Sequence, residues 1–269
     1  MIKINDYIIE QNHFPDNTLR VNAIDGLTPS YITWLYENDA ELFTLICIRR
    51  HYENIPLTLY MPYCPHARMD RVKKDTDVFT LKYFCEVINS LNFEKVYITD
   101  SHSNVASALL DRCVNVNVED KIKKVIDLIN DESLVTFYPD EGAMKRYSDQ
   151  STLPYAFGVK VRDWSTGKIQ KLDIVDTGIR IRDNAVLIID DICSYGGTFV
   201  RAAQALKDAG AKAIYLYITH CETNIYLGNI FNQKPCLIDA IYTASTPNSI
   251  FNPNPEFEKI NGVKIYHSI

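Results

Sequence analysis

Six short apolar runs rich in β-branched and aromatic residues punctuate the chain, at 42–48 (LFTLICI), 57–61 (LTLYM), 96–99 (VYIT), 134–138 (LVTFY), 185–189 (AVLII) and 213–219 (AIYLYIT). Runs of this length between polar and turn-forming residues predict strands buried on both faces. Three stretches between them, 76–92, 118–131 and 197–210, carry apolar residues three and four positions apart, the repeat of an amphipathic helix. The last ends in Lys207, Asp208, Ala209, Gly210, where a glycine is expected to close the helix in the left-handed conformation. Alternating strands and helices predict an α/β protein of mainly parallel sheets flanked by helices.

The pattern echoes itself. VYITD leads into a loop and helix after Asp100, and VLIID does the same after Asp190. The echo predicts two related lobes, 1–143 and 144–269, meeting where residues 139–154 mix charge, Gly and Pro. Composition is consistent with that size. The chain has 269 residues, 46% hydrophobic and 23% charged, enough for one large domain or two smaller ones. A net charge of −6 argues against a nucleic-acid coat or a basic membrane-surface protein, while leaving room for a local basic pocket. The seven cysteines form no C-x-x-C pair and read as reduced thiols of a cytoplasmic protein. The first dozen residues carry charges and Asn where a signal peptide would be apolar, and no apolar run reaches the roughly 20 residues of a membrane span.

Chemistry concentrates in 186–202, VLIIDDICSYGGTFVRA. Asp190 and Asp191 end an apolar strand, and Ser194, Tyr195, Gly196, Gly197 and Thr198 lead into a helix. Glycines let backbone N–H groups approach an anion, hydroxyls add donors, and the helix N-terminus adds partial positive charge. The carboxylates suit neighbouring sugar hydroxyls or a divalent cation. The plainer alternative is a strand-to-helix turn with acidic capping. Elsewhere Lys160 and Arg162 alternate along one predicted strand, before a Thr166-Gly167 turn that could form a hairpin tip. Arg68 and Arg71 stand with Lys73 and Lys74, two lysines best read as a solvated face. His102 follows a strand end, where α/β sheets place ligands, and could equally cap or hydrogen-bond. Asp140 in Pro-Asp-Glu-Gly could equally form a turn.

Segment 186–202 resembles the ribose-phosphate loop of the type I phosphoribosyltransferase superfamily. Within it, several ordered segments resemble the ribose-phosphate pyrophosphokinase (PRPP synthetase) family. YMPYCPHARMDR (60–71) is similar to its Pro-Tyr-x-x-Tyr-Ala-Arg-Gln-Asp-Arg element, matching Arg68, Asp70 and Arg71, with Met69 in place of Gln. VYITDSHS resembles its Asp-Leu-His element at His102, and FYPDEGAMKR its Pro-Asp-x-Gly-Gly loop at Asp140 and Gly142. FGVKVRDWSTGKI resembles its mobile Lys-x-Arg hairpin, ITH (218–220) matches a Thr-His at a later strand end, and YTASTPNS (242–249) resembles a Thr-x-Thr-x-Pro end. HFPDNT is similar to a Phe-Ser-Asp-Gly-Glu turn at Phe14 and Asp16, departing at Asn17 and Thr18.

The resemblance implies two phosphoribosyltransferase-like lobes and transfer of the diphosphoryl group of ATP to C1 of ribose 5-phosphate, giving PRPP and AMP with Mg²⁺. It assigns catalysis to Lys160, Arg162 and His102, metal binding to His102 and Asp140, and ATP binding to Phe14, Asp16, Arg68, Asp70 and Arg71. Ribose 5-phosphate falls to Asp190, Asp191, Ser194, Tyr195, Gly196, Gly197 and Thr198, with His220 lining the ribose side. The ATP and metal side lies in the first lobe and the sugar loop and basic hairpin in the second. A homo-oligomer, dimer or hexamer, is implied, with neither nucleic acid nor membrane as partner. Two alternatives stay open: a phosphoribosyltransferase that consumes PRPP, which would share the 190–198 loop but not need the 67–71, 101–102 and 160–162 motifs together, and a non-catalytic synthetase-like regulator, against which the retained His102, Lys160, Arg162, Asp190 and Asp191 argue and for which the departures at Thr18, Ser194 and Tyr195 leave room.

Overall fold

The computed structural model describes residues 1–162, 169–176, 178, 181–232, 235–245, 257–260 and 262–266, and for 160–162, 169–171, 176, 245 and 257–260 the backbone alone. The chain forms two compact units, Met1–Asn117 and Val118–Ile269.

In the first unit the elements run β1 (Ile2–Ile4), β2 (Tyr7–Ile8), β3 (Gln11–His13), β4 (Leu19–Val21), β5 (Tyr31–Trp34), α1 (Ala40–His51), β6 (Thr58–Met61), α2 (Thr80–Ser90), β7 (Lys95–Thr99), α3 (Asn104–Leu109) and β8 (Cys113–Val116). Strands β5, β6, β7 and β8 are parallel neighbours, and β1 and β2 extend the sheet antiparallel beyond β5. Alternate residues Ile32, Trp34, Leu59, Met61, Val96 and Ile98 enter one core with Leu45, Phe84 and Ile88 of the helices. The run 42–48, expected as a strand, is instead the middle of α1. Glu41, Thr44, Leu45, Ile48 and Arg49 are its buried positions, spaced by three and four, and acid at its start with Arg49, Arg50 and His51 at its end complements the helix dipole.

The second unit contains α4 (Glu119–Ile129), β9 (Val135–Tyr138), α5 (Glu141–Tyr147), β10 (Tyr155–Arg162), β11 (Ile169–Asp176), β12 (Ala185–Cys193), α6 (Gly197–Asp208), β13 (Ala213–Cys221), α7 (Asn229–Asn232), β14 (Ala240–Ser245), β15 (Phe257–Ile260) and β16 (Val263–Tyr266). Its sheet order is β11-β10-β9-β12-β13-β14-β16-β15, parallel from β10 to β16 with an antiparallel strand at each edge. Both faces of β12 are buried: Val186 and Ile188 pack with Phe199 and Leu206 of α6, Leu187 and Ile189 with Val125 of α4 and Tyr147 of α5. That is why this strand reads as an unbroken apolar run. The helix end at Gly210 is as expected. Gly210 takes φ +91, its N–H donates to Lys207 O, and Ala211 N–H donates to Leu206 O, the paired bonds of a Schellman cap.

The unit boundary at 117/118 replaces the one expected at 143/144. Helix α4 and β9 bury Ile122, Val125, Leu134 and Tyr138 in the second unit's core, so Pro139–Ala143 is a loop and helix start inside that unit. Asp140 therefore belongs to the second unit and His102 to the first. The basic hairpin exists as β10 paired with β11; its Thr166-Gly167 tip, residues 246–249 of the YTASTPNS segment, and the side chains of Lys160 and Arg162 lie outside the described residues. Strand β10 pairs with β9 only at Tyr155, Ala156 and Phe157, and from Gly158 to Arg162 its partner is β11 alone. A β-carbon at Gly158 would lie 2.8 Å from Pro139 O and 2.8 Å from Leu172 Cδ1, so the ribbon leaves the sheet where only glycine fits.

Candidate active site

Strand β9 lies between β10 and β12. The chain leaves β9 toward β10 on one side and leaves β12 toward β13 on the other, which makes their carboxyl ends a topological switch point, the usual crevice for ligands in such sheets. The acid pair and glycine loop stand there at the end of β12, and Asp140 follows β9.

The loop is built as a cradle. Helix α6 has Gly196 at its N-cap, which takes φ +75 and provides no side-chain cap. By contrast Ser103 caps α3 and Asp140 caps α5. Orphan N–H groups of an uncapped first turn, with the helix dipole behind them, favour an anion. Gly196 is required by the fold, because a β-carbon there would collide with Ile230. Gly197 is not: a β-carbon would meet nothing within 4 Å. That open space at the helix mouth is what a bound phosphate needs. Ser194 and Thr198 are half-buried and Tyr195 is exposed.

Beside the loop, Asp191 is buried and Asp190 nearly so. Arg146 Nη2, from the last turn of α5, lies 3.2 Å from Asp190 Oδ1 and 2.9 Å from Asp191 Oδ1. Asp191 N–H donates to Asp190 Oδ1 at 3.0 Å. Burial and the Asp191 charge push the Asp190 carboxyl well above the ordinary carboxylate range, with Arg146 opposing them. Burial would lower the Arg146 guanidinium, but its hydrogen bond to Asp191 and the neighbouring charges outweigh that and raise it. Arg146 escaped the sequence reading. Its only signal was a basic residue in the last turn of the helix that Pro-Asp-Glu-Gly begins. On β13, buried His220 lies in register with Ile192 and, on the other side, Ser245.

In the first unit Asp70, Arg71, His102 and Ser103 come together. Arg71 donates to Asp70 through Nε at 2.6 Å and Nη2 at 2.8 Å. Those bonds hold the Asp70 carboxyl below its ordinary value; burial opposes them, and Ser103 and His102 assist. Arg68 is exposed. Phe14 and Asp16 sit on the β3–β4 hairpin, the Phe14 ring exposed with Arg20 5.8 Å from its centroid. Asn17 takes φ +66, the left-handed conformation Asn tolerates best after Gly. Thr18 donates its hydroxyl to Asp16 at 2.7 Å and its N–H at 3.1 Å, lowering the Asp16 carboxyl.

Asp140 Oδ1 accepts the Ala143 N–H at 3.0 Å, capping the N-terminus of α5. Among the described residues no group of three His, Cys, Asp or Glu is arranged to hold a metal ion, and no helix is long and apolar enough to cross a membrane.

The fold is that of an α/β protein with two mainly parallel sheets flanked by helices. Phosphoribosylpyrophosphate synthetase from Mycobacterium smegmatis superposes with a TM-score of 0.74 at 16% identity, over 97% of this chain and 86% of that one. In sequence the chain is similar to ribose-phosphate pyrophosphokinases. It is 27% identical to that of Thermococcus kodakarensis over 265 residues, 94% of this chain and 91% of the relative, and 26% identical to that of Haemophilus ducreyi over 238 residues, 85% and 72% respectively. No family model matches the chain.

Proposed function

We propose that this chain is a ribose-phosphate diphosphokinase, moving the diphosphoryl group of ATP to the C1 hydroxyl of ribose 5-phosphate to give PRPP and AMP. The observation that carries this is the switch-point cradle, where an uncapped α6 with open space at Gly197 stands beside the Asp190–Asp191 pair. The 5-phosphate would lie on the first turn of α6, with Ser194 and Thr198 as donors, and the carboxylates would accept from the ribose hydroxyls. Diphosphoryl transfer asks mainly for positioning and for positive charge where negative charge develops. Lys160 and Arg162 on β10 are assigned that role. Arg68, Asp70 and Arg71 are assigned to ATP, with Arg71 preset by Asp70, and the exposed Phe14 offers a face for a base. Tyr195 and His220 are assigned to the sugar side.

Mg²⁺ binds through one or two protein ligands plus water and substrate phosphates. A carboxylate such as Asp140 suits that hard cation, and His102 is the first unit's candidate; the ion would neutralise the phosphates of ATP. The free cysteines, several of them buried, fit a reducing cytoplasm.

The test is an assay of AMP formation with ATP, Mg²⁺ and ribose 5-phosphate, each omitted in turn. AMP that requires all three supports the proposal; no AMP, or AMP without the sugar, sinks it.

A further inference from the structure

We infer that Arg146 is a positioning residue for recognition of the ribose diol, acting through Asp190 and Asp191. This rests on the reading of the switch-point cradle as the ribose 5-phosphate site.

Two adjacent buried carboxylates are a poor acceptor pair by themselves. Their repulsion and the loss of water both favour protonation of one, and a protonated acid turns an acceptor into a donor. A vicinal diol approached by two acids needs acceptors on both. Arg146 comes from α5, on the far side of the switch point from α6, and one nitrogen, Nη2, contacts Oδ1 of each acid. It therefore supplies the counter-charge and fixes one oxygen of each carboxylate. The guanidinium is itself held: its carbon lies 5.1 Å from the Tyr147 ring centroid, and Gln150 Nε2 donates to Arg146 O at 2.8 Å, fastening the helix end. Tyr147 is fully buried, and Tyr138 donates its hydroxyl to Tyr147 O at 3.2 Å. The arginine is thus mounted on packed aromatic structure and aimed at the acids. Nothing in this arrangement requires it to touch the sugar.

The consequence is a separation of two affinities in one pocket. The phosphate is held by the α6 mouth, the diol by acids that Arg146 keeps in place. Calorimetric titration of the full chain with ribose 5-phosphate, 2-deoxyribose 5-phosphate and inorganic phosphate reads them apart. The parent should prefer the ribose sugar. Arg146→Met should weaken ribose 5-phosphate by roughly tenfold to a hundredfold, the scale of lost charge-assisted hydrogen bonds, erase the preference over the deoxy sugar, and leave inorganic phosphate affinity unchanged. Arg146→Lys should recover part of the preference, since a lysine keeps the charge without the planar fork. Asp191→Asn should reproduce the Met variant. Equal loss of all three ligands in Arg146→Met would mark a merely structural residue and overturn the inference, as would an intact preference in that variant or in Asp191→Asn. A parent that binds ribose 5-phosphate no better than inorganic phosphate would instead bring down the cradle reading beneath it.

Discussion

Gly196 and Gly197 are neighbours of identical chemistry, and their alanine variants should diverge. At Gly196 an added methyl faces two obstacles, φ +75 and the Ile230 side chain. Left-handed backbone costs an L-residue about 1–2 kcal/mol, and overpacking a filled site costs about 1–3 kcal/mol. Gly196→Ala should therefore lower the melting temperature by several degrees. Gly197 is the first residue of α6 with open space where the β-carbon would stand. Replacing glycine by alanine in a compatible helical position stabilises by about 0.4–1 kcal/mol, so Gly197→Ala should melt at or slightly above the parent. Its methyl occupies the space assigned to the phosphate, and losing even one charge-assisted N–H bond there weakens binding by roughly tenfold to a hundredfold. Differential scanning calorimetry beside ribose 5-phosphate titration would show one variant unstable and the other stable but binding-deficient. A stable Gly197→Ala protein that binds the sugar phosphate like the parent would refute the cradle, because its empty space would then serve no ligand.

Lys160→Ala and Arg162→Ala should each reduce turnover by about a hundredfold, the scale of a lost transition-state donor, with much smaller changes in nucleotide affinity; equal losses in both would point to a structural role. Asp140→Asn keeps an N-cap as good as Asp but removes the charge, so it should retain the melting temperature and raise the Mg²⁺ concentration needed for half-maximal rate. Asp140→Ala should lose both, and an Asn variant with unchanged Mg²⁺ dependence would leave Asp140 a cap only. Ser133 and Lys212 hold the Asp131 carboxyl down to about 2, so its stabilising effect is present above the unfolded value near 3.9 and lost as pH falls through about 2. Asp131→Asn should accordingly melt below the parent at pH 6, with the gap closing toward pH 2; a constant gap would contradict that linkage.

Strands buried on both faces were legible because their apolar runs are continuous, as at Val186–Ile189 and Leu216–Ile218. The same continuity misled at 42–48, because α1 carries apolar residues on its outer side as well, Phe43 being 60% exposed; the helical spacing of Glu41, Thr44, Leu45 and Ile48 was there, but with a glutamate and a threonine among the buried positions. Glu41 is buried because Trp34 Nε1 and the Glu37 N–H donate to it, partners that hydropathy does not reveal. The unit boundary was misplaced because charge and proline around 139–154 resemble a linker, whereas α5 packs Ala143 and Tyr147 into the second core. At the site, the acids and glycines were visible as a local motif. Arg146 was not, since it meets Asp190 from 44 positions away through a strand order in which β9 neighbours β12. Nor could sequence distinguish a glycine demanded by backbone, Gly196, from one that leaves space, Gly197.

The ribbon rooted at Gly158 behaves as a cantilever. Beyond Phe157 each residue of β10 is paired on one side only, and a two-stranded ribbon alone is marginal in water. Its root is pinned against Pro139 O, the carbonyl next to Asp140. A displacement of the ribbon at its root would therefore press on the Pro-Asp-Glu-Gly turn before it reached the parallel strands. Amide exchange should mark the fulcrum as a step in protection between Phe157 and the outer ribbon. Residues added farther out would lengthen the arm without altering the bearing on which it turns.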